Sequence, residues 1–424
     1  MFPLCSDLRT DVLRLKDVAA ESPVNRIVYL DGHATTPLAD EAADAMAPYW
    51  TARAGNAQSP HARGQAVAAA IELAREEVAR LIGAQPQEIV FTSGATEANN
   101  LAILGVAEAA RRSGSGRNKV IASAIEHKSV LAALEELANR GFEVALAPVT
   151  TDGVVDLAAL EALVDERTLL VSLMGANNEV GTIQPLAQAA RLVHAKGAMI
   201  HSDLAQLAGK SPVDVAALDL DYASLSAHKL YGPMGVGALF VSGLADLKPR
   251  PLVFGGGQER GLRPGTLPAP LLVGFGAASA VATRDMAEVS QRQQVLATEL
   301  LAGLAARQVR LHQNAIDAPR LPGSLSLRFP SVDADEVVGR LASTICLSTG
   351  SACSAGQITV SHVLKAMSMS DGQARSVIRV YIDRYTTLDD IHFAAGEIAT
   401  AVMGVSGCHW VSDPVGCAHE VHTH

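Results

Sequence analysis

From Ile27 onward, short apolar runs alternate with segments whose apolar residues recur at helical spacing. Ile89-Val-Phe-Thr92 reads as a strand, and a helix pattern over 97–112 follows it. Lys119-Val-Ile-Ala-Ser123 leads into a second helix pattern at 128–140. Thr168-Leu-Leu-Val-Ser-Leu-Met174 precedes a third at 188–196. Ala198-Met-Ile-His201, Tyr222-Ala-Ser-Leu-Ser226 and Gly237-Ala-Leu-Phe-Val241 complete the series. Continuous apolar strands separated by helices predict an α/β fold, with a mostly parallel sheet covered on both faces.

The alternation stops at a long helical stretch over 270–306. Beyond it, Gly323-Ser-Leu-Ser-Leu-Arg-Phe329 alternates apolar and polar positions, as a one-sided antiparallel strand does. The expected division is a large domain over 39–285. A smaller α+β domain is expected from 1–38 together with 286–424, including an N-terminal extension with one short helix at 11–20.

The 424 residues are 49% apolar and 18% charged, enough for a large core. A net charge of −10 argues against broad nucleic-acid binding, which needs basic surface. No apolar run reaches the roughly 18 to 20 residues of a membrane span, and the first residues alternate acids and bases. A soluble, cytoplasmic protein is expected. The five cysteines are Cys5, Cys346, Cys353, Cys408 and Cys417. Few, scattered and odd in number, they fit a reducing compartment and individual roles. Cys408, His409, Cys417, His419, His422 and His424 crowd the tail, but their spacing matches no standard zinc pattern, and no metal site is expected.

The candidate chemistry sits at strand ends. Lys229 follows the 222–226 strand and precedes a Gly-Pro turn, while Asp203 ends the neighbouring one. A lysine amine can form a Schiff base with the aldehyde of pyridoxal phosphate, and a carboxylate can keep its pyridine nitrogen protonated. Thr92-Ser-Gly-Ala-Thr-Glu97 joins a strand to a helix through small residues, as a phosphate-binding turn or an ordinary capping box would. Glu126-His127 falls at the carboxyl edge of the sheet, where ligands bind in such folds. Asn178 offers an amide at the same edge. Cys353 lies in a loop of small polar residues, from which a thiolate could reach a substrate. Cys346, between Ile345 and Leu347, reads as inert core.

These segments together resemble the cysteine desulfurases of the NifS/IscS type, within the class V aminotransferase family of fold-type I pyridoxal phosphate enzymes. The resemblance runs from about Val28 to Asp390. It rests on Tyr29-Leu-Asp-Gly-His-Ala-Thr-Thr-Pro37, Gly55-Asn56 with His61, Phe91-Thr-Ser-Gly-Ala-Thr-Glu97, Glu126-His-Lys128 and Asn177-Asn-Glu-Val-Gly181. His201-Ser-Asp-Leu-Ala-Gln206, Ser226-Ala-His-Lys229, the glycine-rich run 255–266 and Ser351-Ala-Cys353 complete it. The Ser-Ala-Cys loop is similar to that of the group I branch. The resemblance implies a large domain with a mostly parallel seven-stranded sheet and a smaller α+β domain. It implies that Lys229 holds the cofactor, Asp203 pairs with the pyridine nitrogen, and His127 stacks on the ring and moves protons. Asn178 and Gln206 would contact the ring oxygen. Ala95, Thr96, Ser226 and His228 would hold the phosphate, with Thr266 reaching the phosphate of the other subunit of a homodimer. Arg379 would clamp the carboxylate of L-cysteine, Asn178 contributing. Cys353 would accept the sulfur as a persulfide, release L-alanine, and pass the sulfur to an acceptor such as an iron–sulfur scaffold.

Three stretches depart from the family pattern. Gly32-His33 stands where other residues are common. Val380-Tyr-Ile-Asp383 replaces the small residues after Arg379, placing larger and charged groups near the carboxylate clamp. Cys353 is followed by Ser-Ala-Gly-Gln-Ile-Thr-Val rather than a Glu-Pro-Ser continuation. The competing readings are a selenocysteine lyase or another reaction on the same fold, such as an aminotransferase, and a non-catalytic scaffold that retains the fold.

Overall fold

The computed structural model describes residues 26–349, 353–354, 357–358 and 360–406. The helix expected at 11–20, Cys5 and the Cys/His tail lie outside the described residues.

Seven strands form one sheet: β1 (Ile89–Thr92), β2 (Lys119–Ser123), β3 (Glu143–Ala147), β4 (Thr168–Ser172), β5 (Met199–Asp203), β6 (Tyr222–Ser226) and β7 (Gly237–Val241). Their spatial order is β1-β7-β6-β5-β4-β2-β3. The strands from β6 to β3 pair in parallel, and β7 runs antiparallel to both its neighbours. Alternate residues serve two apolar layers. Ile89, Phe91, Ile121 and Phe240 pack on one side, and Val90, Val120, Ala122 and Leu239 on the other. The helices α3 (Ala95–Ser113) and α4 (Lys128–Asn139) cover the second face. On the first lie α2 (Ala62–Leu81), which follows α1 (Asp40–Trp50), and the start of α7 (Ala269–Ala306). The helices α5 (Leu157–Leu163) and α6 (Leu186–His194) link β3, β4 and β5.

The strand read over 168–174 ends two residues early. The amide of Met174 is taken at 2.7 Å by the Glu126 carboxylate, and the chain turns into the ligand edge. The pattern of apolar runs passed over β3 because this edge strand keeps Leu146 and its neighbours partly exposed.

Apolar contacts change partners along α7. Leu272, Phe275 and Ala282 belong to the sheet's core, whereas Leu296, Leu300 and Leu304 pack in a second core. The second core collects Val28, Leu30, β8 (Ser324–Arg328), β9 (Val377–Tyr381), α8 (Ala334–Leu341) and α9 (Leu388–Ser406). As its alternation predicts, β8 is antiparallel, pairing with β9 and with His312–Gln313. Cys346, expected in the core, is half-buried beside the paired Tyr29.

Two of the departures noted above meet in space. A Cβ on Gly32 would lie 2.4 Å from Cδ1 of Tyr381, so the missing side chain makes room for the tyrosine ring. That ring is buried and packs on His33 at 4.6 Å between centroids. Asp383 does not bring charge to the cavity. Its Oδ1 accepts from the Tyr385 and Thr386 amides and the Thr386 hydroxyl, which makes it the staple of a turn. Substituting Gly32→Ala is expected to cost about 1–3 kcal/mol through overpacking. Chemical denaturation should show that cost shrinking in a Tyr381→Ala background, where the ring is absent.

Candidate active site

Every parallel strand delivers its last residues to one edge of the sheet. A cavity of about 540 Å³ opens there. It is lined by Ala95, Thr96, His127, Asn178, Asp203, Gln206, Ser226, His228, Lys229 and Arg379, so the topology brings together all but two of the site residues expected from sequence. His33, Glu97 and Met234 also line it. Thr266 does not; it is exposed on the loop after Gln258–Gly261. The backbone of Cys353–Ser354 pairs antiparallel with Gln357–Ile358, while the Cys353 side chain lies outside the described structure.

Lys229 follows β6 on a single turn of 3-10 helix. Its Nζ donates at 2.6 Å to the carbonyl oxygens of both His33 and Ala34. Burial first, then the Arg379 charge, brings its pKa down to about 8. Asp203 is buried at the end of the adjacent β5. Its Oδ1 accepts from the Ala205 amide at 2.9 Å and its Oδ2 from Asn99 Nδ2 at 2.8 Å. Asn99 was not singled out from the sequence. The available signal was an amide inside the apolar stripe of α3, where a buried polar group needs partners.

His127 is the N-cap of α4, and its Nδ1 accepts from the Ser129 amide at 3.2 Å. That bond assigns the ring proton to Nε2 in the neutral form. Burial holds its pKa below the ordinary value, with the nearby Asp203 opposing. Gly94 caps α3 with φ +150° and no side-chain bond, so the first-turn amides keep no protein cap. A Cβ at Gly237 would lie 2.6 Å from Gly94 Cα, so the two glycines let β7 and this turn approach. Glu97 reaches back to the Ser93 amide at 2.6 Å and pairs with Arg263 at 2.9 Å. The loop bearing Arg263 is itself pinned by Glu259, which forms a buried two-bond ion pair with Arg75 at 2.7 and 2.8 Å and accepts from the Phe91 amide.

Arg379, on β9, donates to Asp31 Oδ1 at 2.8 Å and to the Asn178 carbonyl at 3.1 Å. Its Nε is buried with no partner among the described residues, so the protein leaves the guanidinium only partly satisfied at the cavity wall. The downstream root of the Cys353 loop is tied to the same region. Ser361 Oγ donates to Glu179 at 2.5 Å, and His362 Nε2 lies 2.9 Å from the Glu126 carbonyl.

An uncapped helix N-terminus, a buried carboxylate, a lysine with a lowered pKa and an imidazole thus face one cavity. That donor set fits pyridoxal phosphate: amides for the phosphate, Asp203 for the pyridine nitrogen, Lys229 for the aldehyde. The comparisons agree with the geometry. Residues 28–393 match the family model of class-V aminotransferases. This chain belongs to that family. It is 40% identical to cysteine desulfurase IscS of Rickettsia akari (strain Hartford) over 376 residues, 88% of this chain and 91% of the relative. Among solved structures, a NifS-like protein superposes with a TM-score of 0.82 at 37% identity, covering 89% of this chain and 99% of that one. SspA in complex with cysteine superposes at 0.74 with 34% identity, covering 85% and all of that chain. The α/β fold of this class V chain is therefore that of the NifS-like enzymes.

Glu126 carries a pH dependence. Its Oε1 accepts from Ser123 Oγ and the Met174 amide, and Oε2 is buried without a partner among the described residues. Burial raises its pKa from 4.5 to about 8. The folded protein therefore keeps a proton that the unfolded chain releases, and stability falls as pH rises through that window. Glu126→Gln is expected to flatten the fall in thermal midpoint between about pH 5 and 8. A wild-type slope in the variant would assign the dependence to another group.

Proposed function

We propose that this protein is a pyridoxal phosphate-dependent cysteine desulfurase that converts L-cysteine to L-alanine and holds the sulfur as a persulfide on Cys353. The observation that carries the reading is the convergence of Lys229, Asp203, His127 and Arg379 on one cavity, in a chain that also carries the Ser351-Ala-Cys353 loop. The names of the relatives point the same way. When bound, the cofactor supplies a sink for the electron pair left as the substrate Cα–H bond breaks.

The protein's own groups do the rest. Arg379 and the Asn178 segment orient the substrate carboxylate through a guanidinium already aimed by Asp31. Lys229, with its pKa near 8, is neutral often enough at working pH to take the Cα proton and return it. His127, neutral by burial, presents Nε2 for proton transfer near the ring. Asp203, kept in place by Asn99, favours a protonated pyridine nitrogen. Cys353 Sγ attacks the substrate sulfur. The Cβ–S bond breaks, an S–S bond forms, and the carbon skeleton gains the proton that completes L-alanine. Thr266, exposed on its pinned loop, would reach the cofactor phosphate of the second subunit in a homodimer. A sulfur acceptor, such as an iron–sulfur scaffold, would collect the persulfide at the protein surface.

Intact-protein mass spectrometry after one pulse of L-cysteine tests the reading. One added sulfur, mapped to Cys353 with alanine released, is the expected outcome. Cys353→Ala should keep the bound cofactor and lose the added mass. Full alanine production by that variant would favour a different class V reaction. Arg379→Ala should lower kcat/KM for cysteine by at least about 100-fold, the loss of a charged hydrogen-bonded pair.

A further inference from the structure

Gln206, expected at the ring oxygen, sits in a buried polar cluster at the cavity wall whose His33 and Lys210 side chains have no role above. His33 is 1% exposed. Its Nδ1 lies 2.9 Å from Gln206 Oε1, and its Nε2 lies 2.8 Å from Ser324 Oγ. Buried Lys210 donates to the same Gln206 Oε1 at 2.7 Å. Gln206 Nε2 donates to the His33 carbonyl at 2.9 Å.

These bonds assign the protons. The His33 carbonyl can only accept, so Gln206 Nε2 faces it and Oε1 is left to face Lys210 Nζ and His33 Nδ1, which orients the amide. His33 Nδ1 must then carry the ring proton, and Nε2 accepts from the Ser324 hydroxyl. The ring is neutral, because burial and then the Lys210, Arg379 and Lys229 charges oppose protonation. One N–H of Gln206 is used by the His33 carbonyl. The other has no acceptor among the described residues, in a side chain that lines the cavity. Two donors on Oε1 polarise the amide and strengthen that remaining N–H.

We propose that His33 is a positioning residue: its Nδ1–H clamps the Gln206 carbonyl and thereby presents the Gln206 N–H to the ring oxygen of the bound cofactor. The inference rests on the pyridoxal phosphate reading above. Gly32 and Tyr381 belong to the same device, since the tyrosine ring packs against His33 in the space that Gly32 leaves.

A donor at the ring oxygen stabilises its negative charge most when the neighbouring Lys229–cofactor nitrogen has lost its proton. The clamp therefore lowers that nitrogen's pKa. The test is a pH titration of the visible absorbance of the holoenzyme. His33→Phe keeps an aromatic ring against Tyr381 but has no donor, and should move the midpoint up by about half to one pH unit. His33→Asn places an amide N–H where Nδ1–H was and should restore the wild-type midpoint. Ser324→Ala breaks the bond on the other side of the ring. It should lower the thermal midpoint and leave the absorbance titration in place. His33→Ala carries the same expectation as His33→Phe should the latter not fold. Donorless variants that titrate with wild type, His33→Asn that shifts with them, or Ser324→Ala that shifts as far would each overturn the proposal. A wild-type protein with no Lys229-dependent absorbance would instead overturn the parent reading, so the two failures are separable.

Discussion

A buried carboxylate and a half-buried amine stand at the ends of two adjacent parallel strands, and much of the surrounding structure supplies their hydrogen-bond partners. Burying either charge alone is costly unless it is hydrogen-bonded. Asp203 is satisfied from α3 by Asn99 and from its own turn by the Ala205 amide. Lys229 is satisfied by carbonyl oxygens that arrive from far away in the chain, at residues 33 and 34. The segment carrying those carbonyls is stitched to the Lys229 turn by Thr36, whose amide and hydroxyl both meet the His228 carbonyl. Just upstream, Val28 and Leu30 are buried in the second core. The demand of one amine for acceptors thus ties the edge of the sheet to the core that carries Arg379.

The departures from the family pattern are intelligible in the same terms. At the level of sequence, Gly32-His33 and Val380–Asp383 are separate oddities. Packed together, Gly32 accommodates Tyr381, Tyr381 supports His33, and Lys210 lies 4.6 Å from the centroid of the tyrosine ring. Asp383, which looked like a charge beside the carboxylate clamp, is spent on a turn. Apart from His33, which itself lines the cavity, these substitutions change the packing behind the site and leave Lys229, Asp203, His127 and Arg379 in place around it.

Much was legible from local pattern. The strands at 89–92, 119–123, 222–226 and 237–241 were read to their bounds, because strands buried on both faces are short, continuous and apolar. Lys229, Asp203 and His127 were legible because chemistry at the carboxyl edge of a parallel sheet must follow strand ends. Asn99 and Asp31 were not, since each acts through a partner far away along the chain, Asp203 and Arg379, and carries no local signature. Lys210 was not, because its place beside Gln206 matters only once folding buries both with His33.

The sequence alone determined most of the alternation of strands and helices, though not the half-exposed β3, together with the small-residue turn before α3 and which residue types stand at the strand ends. These follow from hydrophobic period and backbone geometry, which are local properties. The tertiary structure decided how the charges are compensated: which carbonyls receive Lys229, which amide holds Asp203, which carboxylate aims Arg379, and which nitrogen of His33 bears the proton. Those outcomes depend on burial and on hydrogen-bond partners that only the packed chain brings within reach.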